Sequence, residues 1–591
     1  MTRSSLLLRL GLLPALAGCG RAAPPSPPAP APAARAMPPA VADATAPVVL
    51  PEGWALGRRT RVLRGDSAMV TAGNVIAAQV GRDVLRRGGN AVDAAVAVGF
   101  AMAVVDPEAG NIGGGGFLLV HLPSGEAHLL DYRERAPAAA TRDMFMGPDD
   151  ASEEASRIGH LAPAVPGSVA GLVEAHRRFG KLPFGGLVEP AVALARDGFV
   201  LDSIRSARIR ADSAKLAGFP ASARTFLPDG RVPAWGERLR QPELARTMAA
   251  IRDRGADGFY RGWVADSLVA EMQRGGGLIT HADLAAYTPV WREPVRVRFR
   301  DHLVLGAPPV SSGGVTLGLM LGMLEGSGQP PAFGSVTMLH RYAEVMRRAF
   351  ALRRQYLGDP AFSEIPMSWL LSRALADSLA RSIPADRASA TETAPPAGTG
   401  STTHYSIVDG EGMSVATTTT VNDLYGSGVT VSGAGFLLND EMDDFNTAPD
   451  RPNSWGLLGG DVNVPAPGKR PLSSMTPTIV LDPAGRVLAV LGSRGGATII
   501  TQVMQVVVNL VDYRMPLPDA VAAPRVHHQG FPDQLRVDRD GFAPAVLDSL
   551  RAMGHVVTVQ SPGGDVEAVA RSGLGWVGVS DPRSGGGPAG Y

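Results

Sequence analysis

Two hairpins late in a 591-residue chain gather hydroxyl groups at their open ends. The first lies in "GTGSTTHYSIVDGEGMSVATTTTVND", Gly398–Asp423, where THYSIVD alternates and MSVATTTTV is rich in β-branched residues. Its turn is Asp409-Gly410-Glu411-Gly412, and folding about Glu411 sets Thr402 opposite Thr420. A cross-strand threonine pair can share a hydrogen bond, so one hydroxyl can orient the other. The second hairpin, in "RPLSSMTPTIVLDPAGRVLAVLGSRGGA", turns at Asp482-Pro483-Ala484-Gly485. That count places Ser473 and Ser474 level with Arg494 and Gly495, so its open end carries two hydroxyls and the Gly495-Gly496 pair. Threonines are ordinary strand residues and Gly-Gly is an ordinary turn. What sets these apart is the flexible Gly/Ser/Thr stretch running directly into Thr402.

Other elements must hold these hairpins in place. "AGNVIAAQVGRDVLRRGGNAVDAAVAVGFAMAVVDP" predicts two helices, split at Gly88-Gly89, with Asn90 as a cap and Asp106-Pro107 as the stop. The second is apolar on nearly every side and should be buried. "GFLLVHLPSGEAHLLDYRERAP" reads as a hairpin about Pro123-Ser124-Gly125, and residues 160 to 390 are mainly helical by periodicity. "RASATETAPPAGTGS", Arg387–Ser401, is a low-complexity stretch, and strands dominate after it.

Composition narrows the class. Hydrophobic residues make up 45% and charged residues 19%, a globular profile. Lys+Arg and Asp+Glu both number 56, which argues against a nucleic-acid partner held by bulk charge. The single cysteine, Cys19, excludes an internal disulfide and a multi-cysteine metal site. It ends "MTRSSLLLRLGLLPALAGCG", an export pattern whose Leu16-Ala17-Gly18-Cys19 resembles a bacterial lipobox; the alternative is an ordinary signal peptide cut near Ala23. Residues 1–19 are thus read as a lipoprotein-type signal, 20–60 as a Pro/Ala-rich tether, and the folded part as starting near Arg61. No later segment reaches the roughly 20 apolar residues of a membrane span, leaving a lipid on Cys19 as the anchor to the periplasmic side of the envelope.

The blocks "GGNAVDAAVA", "GNIGGGGF", "DYRERAP", "VPGSVAG", "TTHYSIVD", "MDDF", "RPLSSMTPT", "GSRGG" and "SDPRS…AGY" stand in one order along the chain. In them the chain resembles the γ-glutamyltransferase (glutathione hydrolase) family of N-terminal-nucleophile hydrolases, from about Arg61 to Tyr591. The resemblance implies an α+β fold, a four-layer αββα sandwich. It implies that Thr402 attacks the carbonyl of Ser401, cutting the chain into a large subunit, 61–401, and a small one, 402–591, that stay associated. The freed α-amine, with a pKa near about 8, would serve as base to the hydroxyl on the same residue.

The remaining roles are also implied by the resemblance. Thr420 orients the nucleophile. Arg133, Ser473 and Ser474 take the substrate α-carboxylate, for which a guanidinium offers two parallel donors. Asn422, Glu441 and Asp444 hold the α-ammonium, with Glu134 and Asp443 as neighbours rather than ligands. Gly495 and Gly496 present backbone N–H groups to an oxyanion. Trp455, in "RPNSWGLLGGD", stands where an aromatic lid residue, often tyrosine, is expected, and Leu352 stands where an acidic residue is common. The substrates would be γ-glutamyl compounds such as glutathione, with water, an amino acid or a peptide as acceptor and no cofactor.

Two other readings compete. One is a related acylase for glutaryl or β-lactam side-chain amides; the other is a catalytically silent envelope binding protein. No G-x-S-x-G elbow, G-K-[ST] loop or H-E-x-x-H occurs. "GNIGGGGF" reads as a tight backbone crossing, and His527-His528 as a packed pair without a third metal ligand.

Overall fold

The computed structural model describes residues 48, 50–51, 54–110, 112–147, 154–390, 402–448 and 451–591. Cys19, Ser401, the 1–19 segment and most of 20–60 lie outside the described residues.

Two seven-stranded antiparallel sheets form the centre. In spatial order one sheet runs Gly587–Gly590, Met69–Ala72, Thr403–Val408, Ser414–Thr420, Gly115–His121, Ala127–Asp131 and Val290–Arg292. The other runs Arg61–Gly65, Gly575–Ser580, Glu567–Ser572, Val487–Gly492, Thr478–Leu481, His302–Gly306 and Val295–Phe299. The Gly115–His121 strand explains the layering through its period of two. Leu118 and Val120 join a core shared with the helices at 75–105 and 168–272. Phe117 and Leu119 point the other way, into a core shared with the second sheet and the helices Gly313–Gly326, Val336–Tyr356 and Thr498–Val511. With both faces covered, every position of this strand is buried. The architecture is the expected αββα sandwich.

The helix Ala91–Val105 behaves as its composition requires: all of its residues are buried except Gly99. Asn90 and Asp93 form a reciprocal capping box at its start, satisfying two of the orphan N–H groups. Its Ala91 N–H donates to Asp409 Oδ2 at 2.9 Å, while Asp409 Oδ1 accepts from Glu411 and Met413 at 2.9 and 3.0 Å. One carboxylate therefore pins the turn of the first hairpin to a buried helix. Register follows from that turn: Thr403 pairs Thr419 and Val408 pairs Ser414, which is the pairing the sequence implies.

The second hairpin differs by one residue from the expected register. Leu481 pairs Val487, but Val480 pairs Ala489 and Thr478 pairs Leu491, because a bulge interrupts the ladder between Val480 and Leu481. Continued past the strand ends, this register sets Ser474 level with Gly495 and Ser473 level with Gly496.

Candidate active site

The open ends of the two hairpins meet at a cavity lined by Thr402, Thr420, Asn422, Ser473, Ser474 and Gly496, together with Arg133, Asp444 and Trp455. Thr402 directly precedes the strand Thr403–Val408, and Thr420 ends the partner strand. On the far side of Ser414–Thr420 lies Gly115–His121, reached through the glycine run. A Cβ on Gly113 would strike the Leu437 carbonyl oxygen, and one on Gly114 the Thr420 carbonyl oxygen. That run is the tight crossing expected from "GNIGGGGF", and it lets backbone lie directly behind Thr420.

Arg133 is 1% exposed and is surrounded by acids. Its Nη2 donates to Asp444 Oδ2, its Nη1 lies 2.7 Å from Glu441 Oε2 and 3.3 Å from Glu134 Oε2, and its Nε donates to the Pro471 carbonyl. Burial alone would weaken this cation, but the charges of Glu441, Glu134 and Asp444 outweigh it and hold the guanidinium protonated. The carboxylates respond the opposite way. Burial pushes Glu134 up to about 7 against the pull of Arg133. Burial likewise raises Glu441 and Asp444, again opposed by Arg133.

A single helical turn, Glu441–Asp444, explains which acid goes where. Residues three apart eclipse in a 3₁₀ turn, so Glu441 and Asp444 both reach Arg133. Asp443 points elsewhere, accepting from Ser156 Oγ at 2.7 Å and the Ser454 N–H at 2.8 Å. Glu441, expected as an ammonium ligand, does not line the cavity.

Neither Gly495 nor Gly496 has an acceptor for its N–H among the described residues. Both adopt positive φ, +121° and +58°, the region that glycine alone occupies freely. Gly496 lines the cavity and Gly495 does not. The indole of Trp455 lies on Gly496 so closely that a Cβ there would collide with the ring. Trp455 is itself buried, and its Nε1 donates to Asn422 Oδ1 at 2.7 Å.

The gamma-glutamyltranspeptidase family model matches residues 77–591. The chain belongs to that family. It is 43% identical to the glutathione hydrolase proenzyme of Escherichia coli K12 over 533 residues, covering 88% of this chain and 91% of that protein. Among solved structures it resembles a cephalosporin acylase from Bacillus halodurans, with TM-score 0.79 and 26% identity over 90% of this chain and 97% of that one. The gamma-glutamyltranspeptidase of Helicobacter pylori matches with TM-score 0.52 and 37% identity, over 53% of this chain and 91% of that chain.

Two features of the site escape sequence reading. Arg353, a buried residue of the long helix Val336–Tyr356, donates from Nη2 to Ser474 Oγ at 3.1 Å. Its neighbour Leu352, the departure from the family's acidic residue, packs against the second core. The Trp455–Asn422 bond is the other, since a tryptophan in a loop gives no hint of the partner it will find.

His527 and His528 are packed as a structural pair. His527 engages Thr501 and Gln529, each at 2.8 Å, and His528 engages Asp533 at 3.0 Å. His340, Glu344 and His555 bring ligand atoms within 4.8 Å of one another. There His340 and His555 bond each other at 2.9 Å, His340 also bonds the Pro384 carbonyl, and Glu344 accepts from Arg348 and the Ser389 N–H.

Proposed function

We propose that this chain is a self-processing γ-glutamyl hydrolase and transferase whose nucleophile is Thr402. The observation that carries this is one cavity lined by Thr402 and Thr420, by the carboxylate donors Arg133, Ser473 and Ser474, and by the acceptors Asn422 and Asp444. Such a lining suits the zwitterionic head of an amino acid whose side-chain carbonyl extends toward the threonine. Glutathione and related γ-glutamyl amides have that form.

In the processing step the Thr402 hydroxyl attacks the Ser401 carbonyl. The peptide C–N bond breaks as the ester forms, which frees the Thr402 amine, and water then splits the ester into a carboxylate on Ser401 and the free Thr402 hydroxyl. In turnover that amine takes the hydroxyl proton as Oγ adds to the γ-carbonyl. The N–H groups of Gly496 and Gly495 receive the oxyanion. Collapse breaks the γ-amide bond, the leaving amine takes the proton, and a γ-glutamyl ester remains. Water or an acceptor amine then attacks the ester and restores the hydroxyl. Thr420, at the end of the paired strand, orients the nucleophile, and residues 61–401 and 402–591 stay together because Arg133 and Asp444 come from different pieces.

The acylase reading has its own support in the likeness to a cephalosporin acylase. The acids around Arg133 favour a substrate with an α-ammonium over a glutaryl group, which lacks one. Intact mass spectrometry should give two fragments meeting at Ser401–Thr402. The wild type should hydrolyse γ-glutamyl-p-nitroanilide far faster than glutaryl-p-nitroanilide. Thr402→Ala should remain whole and inactive, and Thr402→Ser should cut and turn over more slowly. A continuous, active chain would overturn the mechanism, and preference for the glutaryl substrate would favour the acylase.

The export pattern ending at Cys19 supports placement on the periplasmic side of the envelope through a lipid. No helix among the described residues is long and apolar enough to cross a membrane. Cys19→Ala should release the protein from membranes, with loss of label from radioactive palmitate.

A further inference from the structure

A second cavity, of about 890 Å³, shares both a loop and a wall with the Thr402 cavity. Trp455 lines one, and Leu457 and Leu458 line the other. The wall is Arg353, which lines the larger cavity while donating to Ser474 of the smaller one. Four arginines border the larger space. Arg347 pairs with Asp533 at 2.7 Å, and Arg348 pairs with Glu344. Arg353 differs from both. Its Nε donates to Ser312 Oγ at 2.8 Å and its Nη2 to Ser474 Oγ, and it has no ion-pair partner among the described residues.

Arg353 is only 4% exposed. Burial pulls its pKa down to about 10, with the more distant charge of Asp444 opposing and that of Arg133 adding to the effect. A buried guanidinium bonded only to hydroxyls is under-compensated, and an anion would relieve it. The hydroxyls leave Nη1 without a hydrogen-bond partner among the described residues. The rest of the lining includes Phe350, Leu457, Leu458 and Phe531, which suit an apolar body. Asp461 also borders the space, but its side chain is 91% exposed and paired with Arg142. The volume falls within the roughly 300–1,000 Å³ typical of small-molecule sites.

We propose that this cavity is a binding site for small carboxylates carried on an apolar body, with the carboxylate on Arg353 and the body against Phe350, Leu457, Leu458 and Phe531. It adjoins the γ-glutamyl site through Arg353 and does not depend on the catalytic reading.

Isothermal titration calorimetry of the purified protein with 3-phenylpropionate, up to millimolar concentration, tests this directly. The acid lacks the α-ammonium that the Thr402 cavity is lined to receive, and 3-phenylpropionamide is the uncharged control. One equivalent of acid should bind per chain, and the amide at least about tenfold more weakly, the discrimination expected of one charge-assisted bond. Arg353→Gln should lose about tenfold or more, and Arg353→Lys less. Ala351→Trp is a second variant. Ala351 lines the cavity from an exposed helix position, so the larger ring can fill the space without entering the core. It should abolish binding while thermal melting stays unchanged. Absence of heat with the wild type, equal binding of acid and amide, or full binding by Ala351→Trp would each overturn the proposal. Retained binding in Arg353→Gln with loss in Arg133→Lys would place the acid in the Thr402 cavity and overturn it too.

Discussion

Trp455 Nε1 donates to Asn422 Oδ1 at 2.7 Å, and both residues line the cavity that holds Thr402. Under the proposed function, the indole supplies a donor from an aromatic plate and occupies an acceptor that a substrate ammonium would otherwise use. Asn422 is itself held at positive φ, +75°, with its N–H on Thr420 Oγ1 at 2.8 Å. Trp455, Asn422 and Thr420 are therefore linked in series.

Trp455→Phe keeps the plate and removes the donor. One neutral hydrogen bond is worth about 1 kcal/mol net, and under the proposed function it competes with the substrate ammonium for Asn422. Steady-state kinetics with γ-glutamyl-p-nitroanilide should show kcat/KM rising by up to about fivefold. A fall would mean that the bond belongs to the substrate-bound state instead.

Gly496→Ala should be far more damaging. The added Cβ meets the Trp455 ring and also occupies a positive-φ position, +58°. Alanine is strained at that φ even if the Trp455 ring moves off, so the loop shifts and the Gly496 N–H leaves its place. Loss of one oxyanion donor costs about a hundred- to a thousandfold in kcat. Single-turnover rates should fall by that factor while melting temperature changes little; an unchanged rate would remove Gly496 from the oxyanion role.

Much of this arrangement was legible in the sequence, for a specific reason. The first hairpin has a regular turn, so counting from Glu411 reaches the Thr403–Thr419 register without error. Strand alternation, the amphipathic helix at 75–86 and the buried helix at 91–105 were equally open to reading, because the apolar pattern records how much of an element is covered. The second hairpin defeated the same count by one residue, since nothing in "TIVLDPAGRVLAV" marks the bulge at Val480–Leu481. The pairing of Glu441 with Arg133 was not open to counting, because it depends on a 3₁₀ turn meeting a distant loop. Arg353 was invisible for a related reason: its partners Ser312 and Ser474 come from two separate loops, which only the tertiary fold brings together.

The acids around Arg133 predict a pH effect on stability. Burial raises Glu134 to about 7 from its ordinary 4.5, so the folded state binds this proton more tightly than the unfolded chain does. Its contribution is full below about 4.5 and is lost as pH climbs towards about 7. Glu134→Gln, neutral throughout, should flatten the decline in melting temperature across that window. A decline as steep as the wild type's would show that Glu134 is not the group responsible.

The same cluster separates charge from shape at Arg133. Arg133→Lys keeps a cation among Glu134, Glu441 and Asp444, so the fold should survive, whereas a neutral residue would leave buried acids unpaired. What lysine lacks is the planar fork that reaches Asp444 from one nitrogen and Glu441 from another and leaves the second N–H of Nη2 for the proposed substrate carboxylate. KM for γ-glutamyl-p-nitroanilide should rise by about tenfold to a hundredfold, the cost of one charge-assisted bond, with melting temperature nearly unchanged. A KM equal to that of the wild type would remove Arg133 from carboxylate recognition.

Gly114 offers a test of positioning from behind the catalytic strand. A Cβ there would drive into the Thr420 carbonyl oxygen, and the Gly114 carbonyl already accepts from the N–H groups of Gly167 and Ser168 at 2.8 and 2.9 Å. The backbone is held on one side and blocked on the other, so Gly114→Ala must displace Thr420 or the strand that carries it. Overpacking of this kind costs about 1–3 kcal/mol, which a folded domain of this size can absorb. The orientation of the threonine pair cannot absorb it, because a shift of about 1 Å can cost on the order of a hundredfold in rate. Denaturing gels over a time course should show precursor cleavage at Ser401–Thr402 slowed by about that factor, with melting temperature lowered only modestly. Cleavage at the wild-type rate would mean that Thr420 tolerates the shift, and its orienting role would have to be given up.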